Sequence, residues 1–114
     1  MIDDDENVRR STTMMLRARG LLVDVYHSGA ELLSSRGDHN SECLLIDYKM
    51  PTLDGLQIMQ RLRENGDQTP GLMVTGYYSE TLQARALKVG YAALLEKPIL
   101  PSRLIEEIGA VIRL

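Results

Sequence analysis

Three aspartates stand together at positions 3–5, a fourth, Asp47, ends an apolar run, and Thr75 and Lys97 each close a later apolar segment. Crowded carboxylates repel one another and raise each other's pKa unless a cation neutralises them. Mg²⁺ is the natural candidate: it takes hard oxygen ligands, keeps part of its water shell and accepts phosphate oxygens to complete an octahedron. A carboxylate also attacks phosphorus, giving an acyl phosphate. The loose transition state of that transfer spreads charge over three oxygens, which a metal ion, the Lys97 ammonium and the Thr75 hydroxyl would stabilise from separate directions. This chemistry requires a fold that gathers the four places.

Apolar periodicity supplies such a fold. Residues 7–19 read as a helix with Val8, Thr12, Met15 and Leu16 on one face, Asp5 and Glu6 at its start and Gly20 as its cap. A strand follows at 21–26, then Ser28 as N-cap of a short helix at 30–35. The run CLLID at 43–47 is of buried-strand type; Met50-Pro51 breaks it, and 54–64 is helical through Leu56, Met59 and Leu62. A turn at 66–70 leads into a strand at 72–75, and Ser79 caps a helix at 80–89 closed by Gly90. The last strand is 92–96, and 101–113 is a final amphipathic helix. The first strand, at 1–2, has almost no length, as expected if residues upstream have been lost or replaced.

Alternation of strand and helix predicts an α/β fold, a doubly wound parallel sheet with helices on both faces. Ligands of such sheets bind beyond the carboxyl ends of the strands, at a topological switch point. Strand one ends at Asp3-Asp4, strand three at Asp47, strand four at Thr75 and strand five at Lys97, whereas strand two ends at Tyr26-His27 with nothing comparable. That asymmetry puts the site beside strands one and three.

Composition sets outer bounds. A length of 114 residues suits one domain, 1–114, which buries somewhat over roughly 60% of its unfolded surface and folds without disulfide or structural metal. Hydrophobic residues at 44% and charged residues at 25% are those of an ordinary water-soluble domain. The net charge of −3 provides no attraction for nucleic acid or an anionic membrane. One cysteine, Cys43, excludes an internal disulfide and suits a reducing compartment. No apolar run approaches the roughly 18 residues of a membrane helix, and no signal peptide is visible, so a cytoplasmic location without membrane contact is expected.

The segments IDDDENVRR, LLIDYKMPTLDG, MVTG and EKP, in that order and spacing, resemble the four signatures of response-regulator receiver domains of two-component signal transduction. The resemblance covers essentially the whole chain. It implies a flavodoxin-like (βα)5 sandwich with strand order 2-1-3-4-5 and a phosphorylated Asp47. Mg²⁺ would be bound by Asp3, Asp4, Asp47 and the Lys49 backbone carbonyl, and Thr75 and Lys97 would hold the phosphoryl oxygens. The Lys97-Pro98 peptide would be cis. The implied donor is the phosphohistidine of a sensor histidine kinase or phosphotransfer protein. Implied outputs are an effector such as a transcription factor and homodimerisation through an 80–113 face, with no direct nucleic-acid binding. Such a module is no enzyme beyond its own phosphorylation and dephosphorylation.

Two positions depart from the pattern: Leu94 stands where an aromatic often precedes the lysine by three, and a small Gly76 follows Thr75. Lys49 and Tyr77, which by resemblance flank the path of hydrolytic water, carry no carboxylate or amide to orient it, so slow self-dephosphorylation is expected. A haloacid-dehalogenase-type phosphatase also uses an aspartate nucleophile. It needs a DxD motif at the first strand and a cap for substrate selection, however, and a degenerate docking-only receiver would not keep the acceptor, acids, Thr and Lys together. Simpler roles are expected elsewhere. Asp5 reads as first-turn charge, Asp54-Gly55 as helix-start chemistry, Cys43 as a core thiol, His27 and His39 as surface residues, and Arg9, Arg10, Arg17 and Arg19 as a solvated helix face.

Overall fold

The computed structural model describes residues 1–3, 5–21, 28–34, 42–50 and 52–112. Helix α1 spans Glu6–Ala18, α2 Gly29–Ser34, strand β1 Leu44–Asp47, α3 Gly55–Glu64, β2 Gly71–Thr75, α4 Glu80–Val89, β3 Ala93–Glu96 and α5 Pro101–Ile112. Among the described residues the strands form one parallel sheet of order β1-β2-β3, with Leu45 opposite Leu72 and Met73 opposite Leu94. On the other side of β1, Ile2 makes a parallel bridge to Ile46, where a first strand is expected. The expected strand at 21–26 lies, apart from Leu21, outside the described residues.

Local chemistry sets most boundaries. Asp5 is the N-cap of α1, its carboxylate accepting from the N–H groups of Asn7 and Val8, so the helix starts one residue earlier than its apolar stripe suggests. Asp54 and Gln57 form a reciprocal capping box at α3, and Ser79 caps α4 through the Leu82 N–H. Gly90 ends α4 at φ +121°, a conformation that side chains disfavour.

The strands divide the core by simple alternation. Leu44 and Ile46, Met73 and Leu94 join Leu32 of α2, Ile58, Met59 and Leu62 of α3 and Leu82 and Ala86 of α4 on one face. Leu45, Leu72, Val74 and Leu95 meet Leu16 of α1 and Leu104 and Ile108 of α5 on the other. The sheet advances in one direction from β1 to β3, so right-handed crossovers put α3 and α4 on the same face. Each fully buried aliphatic side chain is worth about 1.5–3 kcal/mol, which makes this two-sided burial the main support of the sheet.

Candidate functional site

Every residue of β1 is buried, including its last, Asp47, which is 6% exposed. The Ile2 N–H donates to Leu45 O at 2.7 Å and the Asp47 N–H donates to Ile2 O at 2.9 Å, so the N-terminal segment lies in register beside β1. That register carries Asp3, 1% exposed, to the same sheet end as Asp47. The Lys97 N–H donates to Thr75 O at 2.7 Å, which brings the residue after β3 to the end of β2.

Alternation decides which of these side chains meet. Asp3 continues the face of Met1, Asp47 that of Leu45 and Lys97 that of Leu95, whereas Thr75 continues the opposite face of Met73. Lys97 Nζ accordingly lies 2.9 Å from Asp3 Oδ2 and 3.3 Å from Asp47 Oδ2. Thr75, fully buried, is held from the neighbouring strand, its Oγ1 accepting from the Tyr77 N–H at 2.9 Å. A hydroxyl that accepts in this way retains its hydrogen for donation.

Two buried carboxylates are costly unless paired and hydrogen-bonded. Asp3 Oδ1 accepts from the Asp5 N–H at 2.9 Å, and Oδ2 faces the ammonium. Partial burial works against the charge on Lys97, yet the Asp3 hydrogen bond and the charges of Asp47 and Asp3 prevail and raise its pKa above the ordinary lysine value. Lys97 therefore remains a cation through the physiological range, one ammonium shared by the two carboxyl groups of Asp3 and Asp47. The donor set facing it is hard oxygen, the set Mg²⁺ prefers. Asp4, expected to contribute a further carboxylate, lies outside the described residues, and no cluster of three potential metal-ligating side chains occurs among the described ones.

Arg9 is not simply part of a solvated helix face: its Nη1 donates to the Asp3 carbonyl at 2.5 Å, tying the first turns of α1 to the acidic segment. The sequence signal for it is an arginine six positions after the acid, but its direction depends on how α1 leaves the sheet. At the rim, Lys49 Nζ sits 4.4 Å from the centre of the exposed Tyr77 ring, a cation–π pair between the loops after β1 and β2. The Lys97-Pro98 peptide is cis, as the resemblance implies.

The family model of the response regulator receiver domain matches residues 1–109. The chain belongs to this family. It is 33% identical over 113 residues to the response regulator MprA of Mycobacterium ulcerans, covering 99% of this chain and 49% of that protein. It is 28% identical over 114 residues to the response regulator protein TodT of Pseudomonas putida, covering all of this chain and 50% of that protein. The receiver domain thus spans about half the length of the curated relatives it matches. In fold it is similar to the receiver domain of the Francisella response regulator 1452, with a TM-score of 0.92 at 26% identity, covering 98% of this chain and 93% of that one. This receiver domain is therefore a module of two-component signalling, and no helix among its described residues is long and apolar enough to cross a membrane.

Proposed function

We propose that this receiver domain accepts a phosphoryl group on Asp47 and relays the event to a partner. The observation that carries the reading is the Lys97 ammonium in contact with two buried carboxylates, Asp3 and Asp47. An Asp47 carboxylate oxygen attacks phosphorus of a phosphohistidine on a sensor histidine kinase or phosphotransfer protein. The P–N bond breaks, and the imidazole leaves with its electron pair and takes a proton. Lys97 balances charge on the transferring oxygens, and the Thr75 hydroxyl donates to one of them from the neighbouring strand. Asp3, Asp4, Asp47 and the Lys49 carbonyl would hold Mg²⁺, which would supply the remaining charge neutralisation. Hydrolysis reverses the state: water attacks phosphorus, the acyl P–O bond breaks and inorganic phosphate leaves. The Lys49–Tyr77 pair lies across the loops that such water would pass, favouring a long-lived phosphoryl group.

We further infer that the sheet is completed by residues 21–26 in the order 2-1-3-4-5, and that the protein acts in the cytoplasm through an effector such as a transcription factor. The output surface is the face of α4, β3 and α5 within 80–113, used for homodimerisation or effector docking. An open groove of about 510 Å³ lies there, lined by Tyr78, Leu94, Pro98, Leu100 and Arg103 among others.

The test is direct. Incubation with a small acyl-phosphate donor and Mg²⁺ adds one phosphoryl mass, EDTA prevents it, and Asp47→Asn shows none. Asp4→Ala weakens Mg²⁺ binding by removing one hard ligand from a site with few. Labelling of another residue in the wild type, or normal labelling of Asp47→Asn, defeats the assignment.

A further inference from the structure

Tyr91 is buried, and its hydroxyl and backbone N–H bond to Gly55 and Ala86 rather than to a group assigned to phosphoryl transfer. Its backbone N–H donates to Ala86 O at 3.0 Å, within the cap that ends α4. Its ring rests on the first residue of β2: a Cβ placed on Gly71 would lie 3.2 Å from Tyr91 Cδ1 and 2.5 Å from Met59 Cε. Its hydroxyl donates to the Gly55 carbonyl at 2.7 Å, across 36 positions of sequence. Gly55 in turn presses on the acceptor strand. Its N–H donates to Tyr48 O at 2.8 Å, and a Cβ there would stand 2.9 Å from the Asp47 backbone oxygen and 3.1 Å from Tyr48 Cα.

The far end of α3 is tied to the same turn, because Arg63 Nη2 donates to Gly90 O at 3.0 Å. Helix α3 is therefore clamped at both ends to the cap of α4, and only the Tyr91 end abuts Asp47. A buried hydroxyl is costly to leave without a partner, so displacement of the α4 cap pulls on the Gly55 carbonyl. Burial, reinforced by the charge of Asp54 and opposed by Arg63, pushes the Tyr91 phenol far up. It remains a neutral donor at any working pH.

We propose that Tyr91 is a positioning residue for Asp47, its hydroxyl holding the first turn of α3 against the acceptor strand and coupling the acceptor to movement of α4. The inference rests on Asp47 as the phosphoacceptor. It links the acceptor strand to α4 through the first turn of α3.

The experiment compares wild type, Tyr91→Phe, Gly55→Ala and Arg63→Met, each as the whole chain. Labelling by a small acyl phosphate with Mg²⁺ is followed by intact mass, and beryllofluoride-induced amide shifts by NMR. Tyr91→Phe keeps the ring and the fold. It should lower the saturated labelling rate at least fivefold with little change in the donor concentration at half-saturation, and shrink the induced shifts at 90–94 to under half. Gly55→Ala, which disturbs the same contact from the other side, should also slow labelling. Arg63→Met cuts the distal tie and should lose stability while labelling at the wild-type rate. Wild-type rates and shifts in Tyr91→Phe overturn the proposal, as does an equal slowing by Arg63→Met. An unlabelled wild type brings down the acceptor assignment and this inference together, which separates that outcome from failure of the coupling alone.

Discussion

Lys97 and Asp3 are separated by 94 positions of sequence and by 2.9 Å between Nζ and Oδ2, and the same ammonium reaches Asp47 Oδ2 at 3.3 Å. The cation is about one-third exposed while both carboxyl groups are buried, so its removal takes an ammonium contact from two buried acids rather than one.

Lys97→Met should therefore destabilise the domain by about 1–3 kcal/mol at neutral pH, part of the usual cost of breaking a buried pair because the lysine is partly solvated. Millimolar Mg²⁺ should restore more stability to this variant than to the wild type. Because the Lys97 pKa is raised in the fold, its contribution is complete below the ordinary value of 10.5 and is lost as pH climbs through the raised value. Urea titrations at several pH values check this; an identical Mg²⁺ response in both proteins refutes it.

The cation–π pair of Lys49 and Tyr77 predicts the lifetime of the phosphoryl group. Such a pair is worth about 0.5–1 kcal/mol at an exposed site, so Tyr77→Ala should speed phosphoryl loss by roughly two- to fivefold. Decay followed by intact mass after removal of the donor decides the matter. An unchanged rate means the pair does not shield phosphorus.

Gly55→Ala should cost about 1–3 kcal/mol by overpacking. Its new Cβ meets Met73 Sδ at 2.9 Å, which a flexible thioether relieves, and the Asp47 backbone oxygen at 2.9 Å, which a strand does not. Met73→Ala combined with Gly55→Ala should consequently recover little of the labelling rate. Full recovery would locate the clash at the sulfur instead.

Cys43 is half-buried beside β1, and burial pushes its thiol from 9.0 to about 11, with the N-terminal charge opposing. The neutral form is favoured in the fold, so this contribution is complete below 9.0 and is lost as pH rises through about 11. Iodoacetamide at pH 8 should alkylate the native chain about a hundredfold more slowly than the urea-unfolded chain, since thiolate is the reactive form. Equal rates would show that Cys43 is not shielded.

Leu94 is buried against α4 residues, where its packing is worth about 1.5–3 kcal/mol and where it has no polar tip to prefer a second environment. A two-state switch needs differential contacts, and the exposed Tyr77 and Tyr78 after β2 are placed to supply some of them. Beryllofluoride should shift amide signals chiefly over 75–90. Shifts centred on 7–19 that spare 75–96 would rule this route out.

Much of this receiver domain is legible locally. Short continuous apolar runs mark the buried strands at 43–47 and 72–75, and Asp54, Ser79 and Gly90 announce helix ends, because strand burial and capping act over a few residues. The candidate residues Asp3, Asp47, Thr75 and Lys97 are likewise readable, as polar residues closing apolar strands. Which of them touch is not, because contact depends on the register between strands. That register sets Asp3, Asp47 and Lys97 on one face and Thr75 on the other, and it makes Lys97 the shared partner of two acids. Lys49 over Tyr77 and Tyr91 on Gly55 join loops and helices distant in the chain, and Arg9 reaches the Asp3 carbonyl only because of the way α1 leaves the sheet. No local propensity encodes such pairs; they exist only once both faces of the sheet are packed and the distances between elements are set by core side chains.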